Sequence, residues 1–345
     1  MFFDRTFNGQ PWLTVLQNSI RKDYASMEEA YNATRAMLDL LQDNYTRFLS
    51  PSEYMEFQVD TLEKEFAGVG VRMQNATIEI VLEGPAKKGG VKPGDIVLSV
   101  DGQSTENLTT EVIVQLLRGP PETNVCMDIL SVANGVIQEL CLVRQSVENP
   151  SVSASVEEFG GDKYGILKVD RFSTTTADLI ERALKTFYEN IRFIVLDLRG
   201  NAGGLLDSAK NVSSLFLPKS TIIYSEIDPF TSKIVRSDAD GIEISIPILI
   251  LVNKQSASAS EIVSAALREN KRAKIVGERT FGKGVAQSVE EVTNGSAVKI
   301  TTSKWLTPLG NDVNNEGIDV DIPSTCSESD SVLVCLKDYL ESLNE

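Results

Sequence analysis

The 345-residue chain predicts a multidomain α/β (α+β) protein: a helical N-terminal region, an inserted β-rich domain and a layered α/β core. Three observations carry this. Residues 11–60 carry helical periodicity, short glycine-punctuated β runs fill 66–147, and from about 151 to 325 apolar runs alternate with helical patterns. Length alone allows two or three domains with at least one sizeable core.

The first element is "MEEAYNATRAMLDLLQDN" (27–44), which puts Met27, Ala30, Tyr31, Leu38 and Leu41 on one helical face. "FLSPSEYMEFQVDTLEKEF" follows as a second helix whose start is set by Ser50-Pro51. Within the β-rich insert, Cys126 and Cys141 lie almost symmetrically about "VANGV", where Asn134-Gly135 signals a hairpin. That places the two cysteines opposite each other on paired strands. Cys326 and Cys335 form a second close pair, and spacing alone leaves thiol or disulfide open for both. "RFIVLDLRG" (192–200) and "IPILILVN" (246–253) read as strands buried on both faces, each leading into a glycine- or serine-rich turn and a helix. "SVLVCLKDYLESL" closes the chain as an amphipathic helix.

Composition excludes several functions. A net charge of −16 argues against nucleic acid and anionic lipid as main partners. No apolar run reaches membrane-span length, and the opening lacks the basic and apolar segments of a targeting peptide. There is no histidine, which removes Ser-His-Asp triads, Cys-His dyads and histidine-bearing metal sites. No metal or cofactor is implied.

A nucleophilic hydroxyl here therefore needs another base. "KQSASASEIV" (254–263) runs from a buried strand into a helix, so a serine there meets free N-terminal N–H groups that can hold an oxyanion. Ser258 is the candidate nucleophile, because Ser260 stands where a cap is needed before Glu261. In "VGERTFGKGVAQ" (276–287), Lys283 sits between Gly282 and Gly284 after an apolar strand. Burial can lower a lysine's pKa by about 3 units and make it a base. Gln287, four residues on, is placed to accept from the amine without adding charge. The rival phosphate-loop reading of "GERTFGKG" lacks the final Ser/Thr and the helix that must follow. In "LDLRGNAGGLLDSA" (196–209), Gly204 can offer an N–H beside that of Ala259.

With these pieces placed, the chain resembles the carboxyl-terminal processing proteases, the tail-specific Ser-Lys peptidase family. "NKQSASASEI", "FGKGVAQ", "DLRGNAGG" and "TPLGNDVNNEGIDVD" all resemble its motifs. The resemblance implies Ser258 as nucleophile, Lys283 as base, Gln287 beside it, and Gly204 and Ala259 as the oxyanion hole. Residues 66–147 resemble the PDZ domain of these proteases, with "GPAKKGGVKPGDIVLSVDG" as its core. Gly68, Val69, Gly70 and Val71 would then bind a substrate's terminal carboxylate, and Arg118 would couple the PDZ to the active site. The implied organisation is 1–65 helical, 66–147 PDZ, 148–325 catalytic core and 326–345 C-terminal helix. The junctions near 60–66 and 145–152 suit a hinge, and in a closed-off state Ser258 and Lys283 would lie out of hydrogen-bond reach. "DRTFNGQPW" and "DNYTRFLSP" are most like the photosynthetic branch, whose members process the D1 precursor of photosystem II in the thylakoid lumen. The expected protein is a monomer, at most peripherally membrane-associated. A catalytically idle PDZ peptide-binding protein is the alternative.

Overall fold

The computed structural model describes residues 2–20, 23–62, 67–147, 150–187, 191–238, 241, 246–325, 327 and 330–342. Parts of both expected junctions (63–66 and 148–149) lie outside these, as do Phe66 and Cys326. The chain forms two compact units, Met1–Ser50 with Pro150–Glu345, and Pro51–Asn149.

In the first unit, helices α1 (Trp12–Ile20) and α2 (Met27–Asp39) precede a short strand, β1 (Arg47–Leu49). Ser26 caps α2, accepting from the Glu29 N–H while the Glu29 carboxylate accepts from Ala25. Leu38, Leu41 and Phe48 form a small core with Phe2.

The second unit begins with α3 (Pro51–Leu62), which packs on α5 of the insert, so the unit starts fifteen residues before the expected boundary at 66. There follow β2 (Ala67–Gly68), β3 (Val71–Gln74), β4 (Thr77–Val81), α4 (Pro85–Lys88), β5 (Ile96–Val100), β6 (Gln103–Ser104), α5 (Thr110–Leu117), β7 (Asn124–Leu130), β8 (Ile137–Val143) and β9 (Gln145–Ser146). Strands β3, β4, β5, β7 and β8 form one antiparallel sheet around Ile78, Val97, Ile113, Val125 and Ile129. The β7–β8 hairpin forms, but its connection spans 131–136 and only Gly135, not Asn134, takes a positive φ, at +69°, so it is not the two-residue Asn-Gly turn. Cys126 faces Cys141 directly, and the two are disulfide-bonded. Cys335 is also in a disulfide.

The first unit resumes with β10 (Val152–Phe159), β11 (Asp162–Val169), α6 (Thr176–Phe187), β12 (Phe193–Asp197), α7 (Leu206–Phe216), β13 (Ile222–Ile227), β14 (Ser232–Arg236), β15 (Ile248–Val252) and α8 (Ala259–Glu269). It ends with β16 (Ala273–Gly277), β17 (Val285–Glu291), β18 (Ala297–Leu306), β19 (Ile322–Pro323) and α9 (Val332–Ser342). The main sheet runs β10-β11-β12-β15-β16-β19, parallel from β11 onward. Ile194 and Leu196 of β12 face the core shared with α6, α7 and α8, whereas Phe193 and Val195 face α9. Both faces are covered, which explains why these strands read as unbroken apolar runs. A second sheet gathers β14, β13, β18 and β17, with β1 pairing the start of β18.

Candidate active site

The candidate site forms where β12 and β15 end, at the carboxyl edge of the parallel strands, where open α/β sheets gather their ligands. After β15, Asn253 closes a tight turn: its N–H donates to Ser256 Oγ, which in turn donates to Leu198 O at 2.8 Å. Ser256 is thus committed to structure. Ser260, expected as the cap, instead lies inside the first turn of α8 and donates to Asn201 O. The cap position is held by Ser258, at φ +55° and ψ −113°. A non-glycine residue there costs on the order of 1–3 kcal/mol and persists only when its neighbours enforce it. They do: Ala257 N–H donates to Asn201 O, and Ser258 N–H to Glu261 Oε2 at 2.8 Å.

The loop after β12 packs against this turn. A side chain on Gly203 would put its Cβ 2.8 Å from that of Ser258. At Gly204 (φ +152°) a Cβ would fall 2.0 Å from Phe172 O, so both positions exclude a side chain. Gly203 N–H donates to Asn201 Oδ1 and Leu205 N–H to Phe172 O, but the N–H groups of Gly204 and Ala259 meet no acceptor among the described residues. The loop is stiffened by a buried bidentate pair, Arg199 on Asp197, with contacts of 2.9 and 2.7 Å.

Lys283 precedes β17 in an irregular segment held at both backbone groups. Its N–H donates to Glu261 Oε2 at 2.9 Å, and its carbonyl accepts from the Trp305 indole at 3.0 Å. Asn315 N–H donates to Gly282 O, and Gly284 N–H to Asn314 Oδ1, so the "NDVNNEG" segment clamps the same loop. The side chain is largely buried. Burial first, then the cations Lys299 and Arg47, push its pKa from 10.5 down to about 8, against the opposing pull of Asp43 and Glu261. At that value about a tenth of the amine is neutral at pH 7. Lys299 and Arg47 face each other across the β18–β1 register.

Sequence reasoning missed Glu261, treating it only as the residue after a cap. It is fully buried and accepts four hydrogen bonds: from Ser258 N–H, Lys283 N–H, Gly282 N–H (2.7 Å) and Thr280 Oγ1 (2.6 Å). One carboxylate thus joins the backbones of both candidate catalytic residues. The signal was there in Glu at the third helical position, three after a serine.

No hydrogen bond joins Ser258 to Lys283 in this conformation, and the Lys283 amine rests over the Tyr45 ring, 4.7 Å from its centroid. The expected contact of Gln287 with the amine is not made. Gln287 donates to Thr301 Oγ1 at 3.3 Å instead of meeting the amine. Four residues bring side chains together in a helix but span about 13 Å in a strand, and Gln287 lies in β17.

In the second unit, Gly68 ends β2 and Val71 opens β3, with Val69 and Gly70 between them. The N–H groups of Val69 and Gly70 meet no acceptor among the described residues. Arg118, just after α5, lines a pocket with Ser52, Met55 and Glu56 of α3 and Thr110, Val114 and Gln115 of α5.

Comparison with known proteins decides the family. Residues 163–324 match peptidase family S41 and residues 78–130 a PDZ domain. The chain is 35% identical over 326 residues to a carboxyl-terminal-processing protease of Synechocystis sp., covering 92% of this chain and 76% of that one. It belongs to the carboxyl-terminal-processing proteases. This peptidase is also 34% identical to carboxyl-terminal-processing peptidase 2, chloroplastic, of Arabidopsis thaliana, over 98% of this chain and 69% of the relative. A solved photosystem II D1 C-terminal processing protease superposes with a TM-score of 0.59 at 29% identity, covering 94% of this chain and 89% of the other. The protein is therefore a PDZ-bearing serine peptidase. Among the described residues no helix is long and apolar enough to cross a membrane.

Proposed function

We propose that the peptidase cuts by a Ser258–Lys283 dyad near the carboxyl end of a protein captured by its PDZ domain. Ser258 Oγ attacks the peptide carbonyl and its proton passes to Lys283 Nζ. The lysine then gives that proton to the leaving amine, and water takes the serine's place at the acyl-enzyme. The unpartnered N–H groups of Gly204 and Ala259 receive the oxyanion. That pair of free amides beside a strained serine is the observation that carries the reading. Gln287 orients the amine once it leaves Tyr45, and Arg118 couples the PDZ to the core. In the PDZ, Gly68 to Val71 receive the free carboxylate, while an added strand gives main-chain pairing.

The substrate we infer is the C-terminal extension of the photosystem II D1 precursor, cut in the thylakoid lumen by a monomeric enzyme. Likeness to chloroplastic and cyanobacterial relatives supports this, and the disulfide at Cys126–Cys141 suits an oxidising compartment. Cleavage of a D1-tail peptide tests it. Ser258→Ala and Lys283→Arg should both be inactive while folded, since a guanidinium does not deprotonate in this range. Labelling of wild-type Ser258 by a fluorophosphonate separates the enzyme from an idle peptide-binding scaffold. Amidating the peptide's C-terminus should raise KM strongly; unchanged kinetics would remove the PDZ as tail receptor.

A further inference from the structure

The Lys283 amine has three donors and a peculiar setting. It makes no hydrogen bond and no ion pair among the described residues, and its contact is the face of Tyr45 at 4.7 Å. A ring face within about 6 Å attracts an ammonium and not a neutral amine. Tyr45 is itself held in place. The Asp43 carboxylate accepts from the Tyr45 N–H and from Thr46 Oγ1, and Thr46 Oγ1 accepts from Thr301 N–H of β18 at 3.0 Å. Strand β1 then pairs β18 at once, Arg47 opposite Lys299. The Tyr45 hydroxyl makes no hydrogen bond among the described residues, so the face of the ring is what it offers. Because Lys283 is anchored at its own N–H and carbonyl, its amine can leave the ring only by side-chain rotation.

We propose that Tyr45 is a positioning residue that holds the protonated Lys283 amine in a resting place, out of hydrogen-bond reach of Ser258. The inference rests on Lys283 being the base. In this arrangement the N-terminal segment competes with Ser258 for the amine, and substrate must draw the amine off the ring before the dyad closes. The other groups around it are Lys299 of β18, Arg47 of β1, Asp43 of the turn and Glu261 of α8. All are left in place by a change at Tyr45.

The test is the pH dependence of Ser258 labelling by a fluorophosphonate, which needs no knowledge of the natural substrate. Labelling rises with pH as Lys283 loses its proton. Tyr45→Leu keeps the site buried but removes the ring, so the ammonium loses support and the rising limb moves to lower pH by about 0.4 to 1.5 pH units. Below the limb, labelling is then about 2- to 30-fold faster than wild type. Tyr45→Phe, which keeps the ring face, restores the wild-type limb. An unmoved limb in Tyr45→Leu, or an equal move in Tyr45→Phe, overturns the proposal. Lys283→Arg separates the two readings: if it labels like wild type, the base assignment fails, whatever Tyr45 does. A second readout is independent of activity and of the dyad. In lysine-labelled protein, the Lys283 ε-methylene resonance, identified by its loss in Lys283→Arg, should be shifted upfield by the ring and return to the ordinary position in Tyr45→Leu. A wild-type resonance at the ordinary position overturns the resting place directly.

Discussion

Replacing Lys283 by methionine should stabilise the protein while abolishing cleavage. The fall of the lysine's pKa from 10.5 to about 8 means that holding its charge in the folded state costs about 3 kcal/mol. Below about pH 8 the lysine is protonated in both folded and unfolded chains, and that cost is present in full. Between about 8 and 10.5 the unfolded chain binds more protons, so stability rises with pH as the cost is relieved. Methionine has similar length and no charge to desolvate. It also gives up the amine's contact with the Tyr45 ring, so the net gain at pH 7 should be about 1–3 kcal/mol. The assay is urea unfolding followed by tryptophan fluorescence. Both tryptophans, Trp12 and Trp305, lie in the unit that contains Lys283, so the signal reports that unit. The gap between variant and wild type should shrink as pH rises from 8 to 10.5. A variant no more stable than wild type at pH 7, or a gap independent of pH, would refute the desolvated base.

Ser256→Ala should cost about 1–3 kcal/mol, because it strands the Asn253 N–H and leaves Leu198 O with the Asn201 N–H alone, yet keep fluorophosphonate labelling, whereas Ser258→Ala loses labelling and keeps stability. Glu261→Gln offers one acceptor oxygen to four donors and should slow labelling by about 10²-fold or more, as small misplacements of reacting groups do; a near-normal rate would show that the carboxylate is dispensable for alignment. Gly204→Ala should lower kcat about 10²–10³-fold with little change in KM, since its Cβ must push the loop away from Phe172 O; steady-state kinetics decide it.

Much of this architecture is local, and local features are what a sequence displays. The strands at 192–200 and 246–253, the helix after the serines, and the opposed Cys126 and Cys141 all follow from periodicity and turn chemistry within a few residues. Ser258 and Lys283 were legible for the same reason: each sits in a short motif whose glycines and small residues announce an unusual backbone. Their surroundings were not. Tyr45, Arg47 and Thr46 reach the site by pairing β1 with β18, a register between distant segments that no window of sequence contains. Lys299 and Arg47 lower the lysine's pKa only because that register brings them together, so burial alone was foreseen as the cause. Trp305 is fully buried, and its bond to Lys283 O depends on β17 pairing with β18, which no local pattern announces. Gln287 does not meet the amine in this conformation because four residues of extended chain separate the two by about 13 Å, and its side chain turns to Thr301 instead.

The bond from Thr301 to Thr46 spans 255 positions of chain, and that distance sets a timetable. A chain made from its N-terminus at about 5–20 residues per second presents Tyr45 long before β18, with an interval on the order of tens of seconds. The serine and lysine motifs emerge before the strand that seats the N-terminal segment against them. A half-made molecule therefore holds its cutting residues without the surroundings that tune them. Neither the seat of Tyr45 beside the lysine nor the pair of cations that lowers its pKa is in place until β18 has been made.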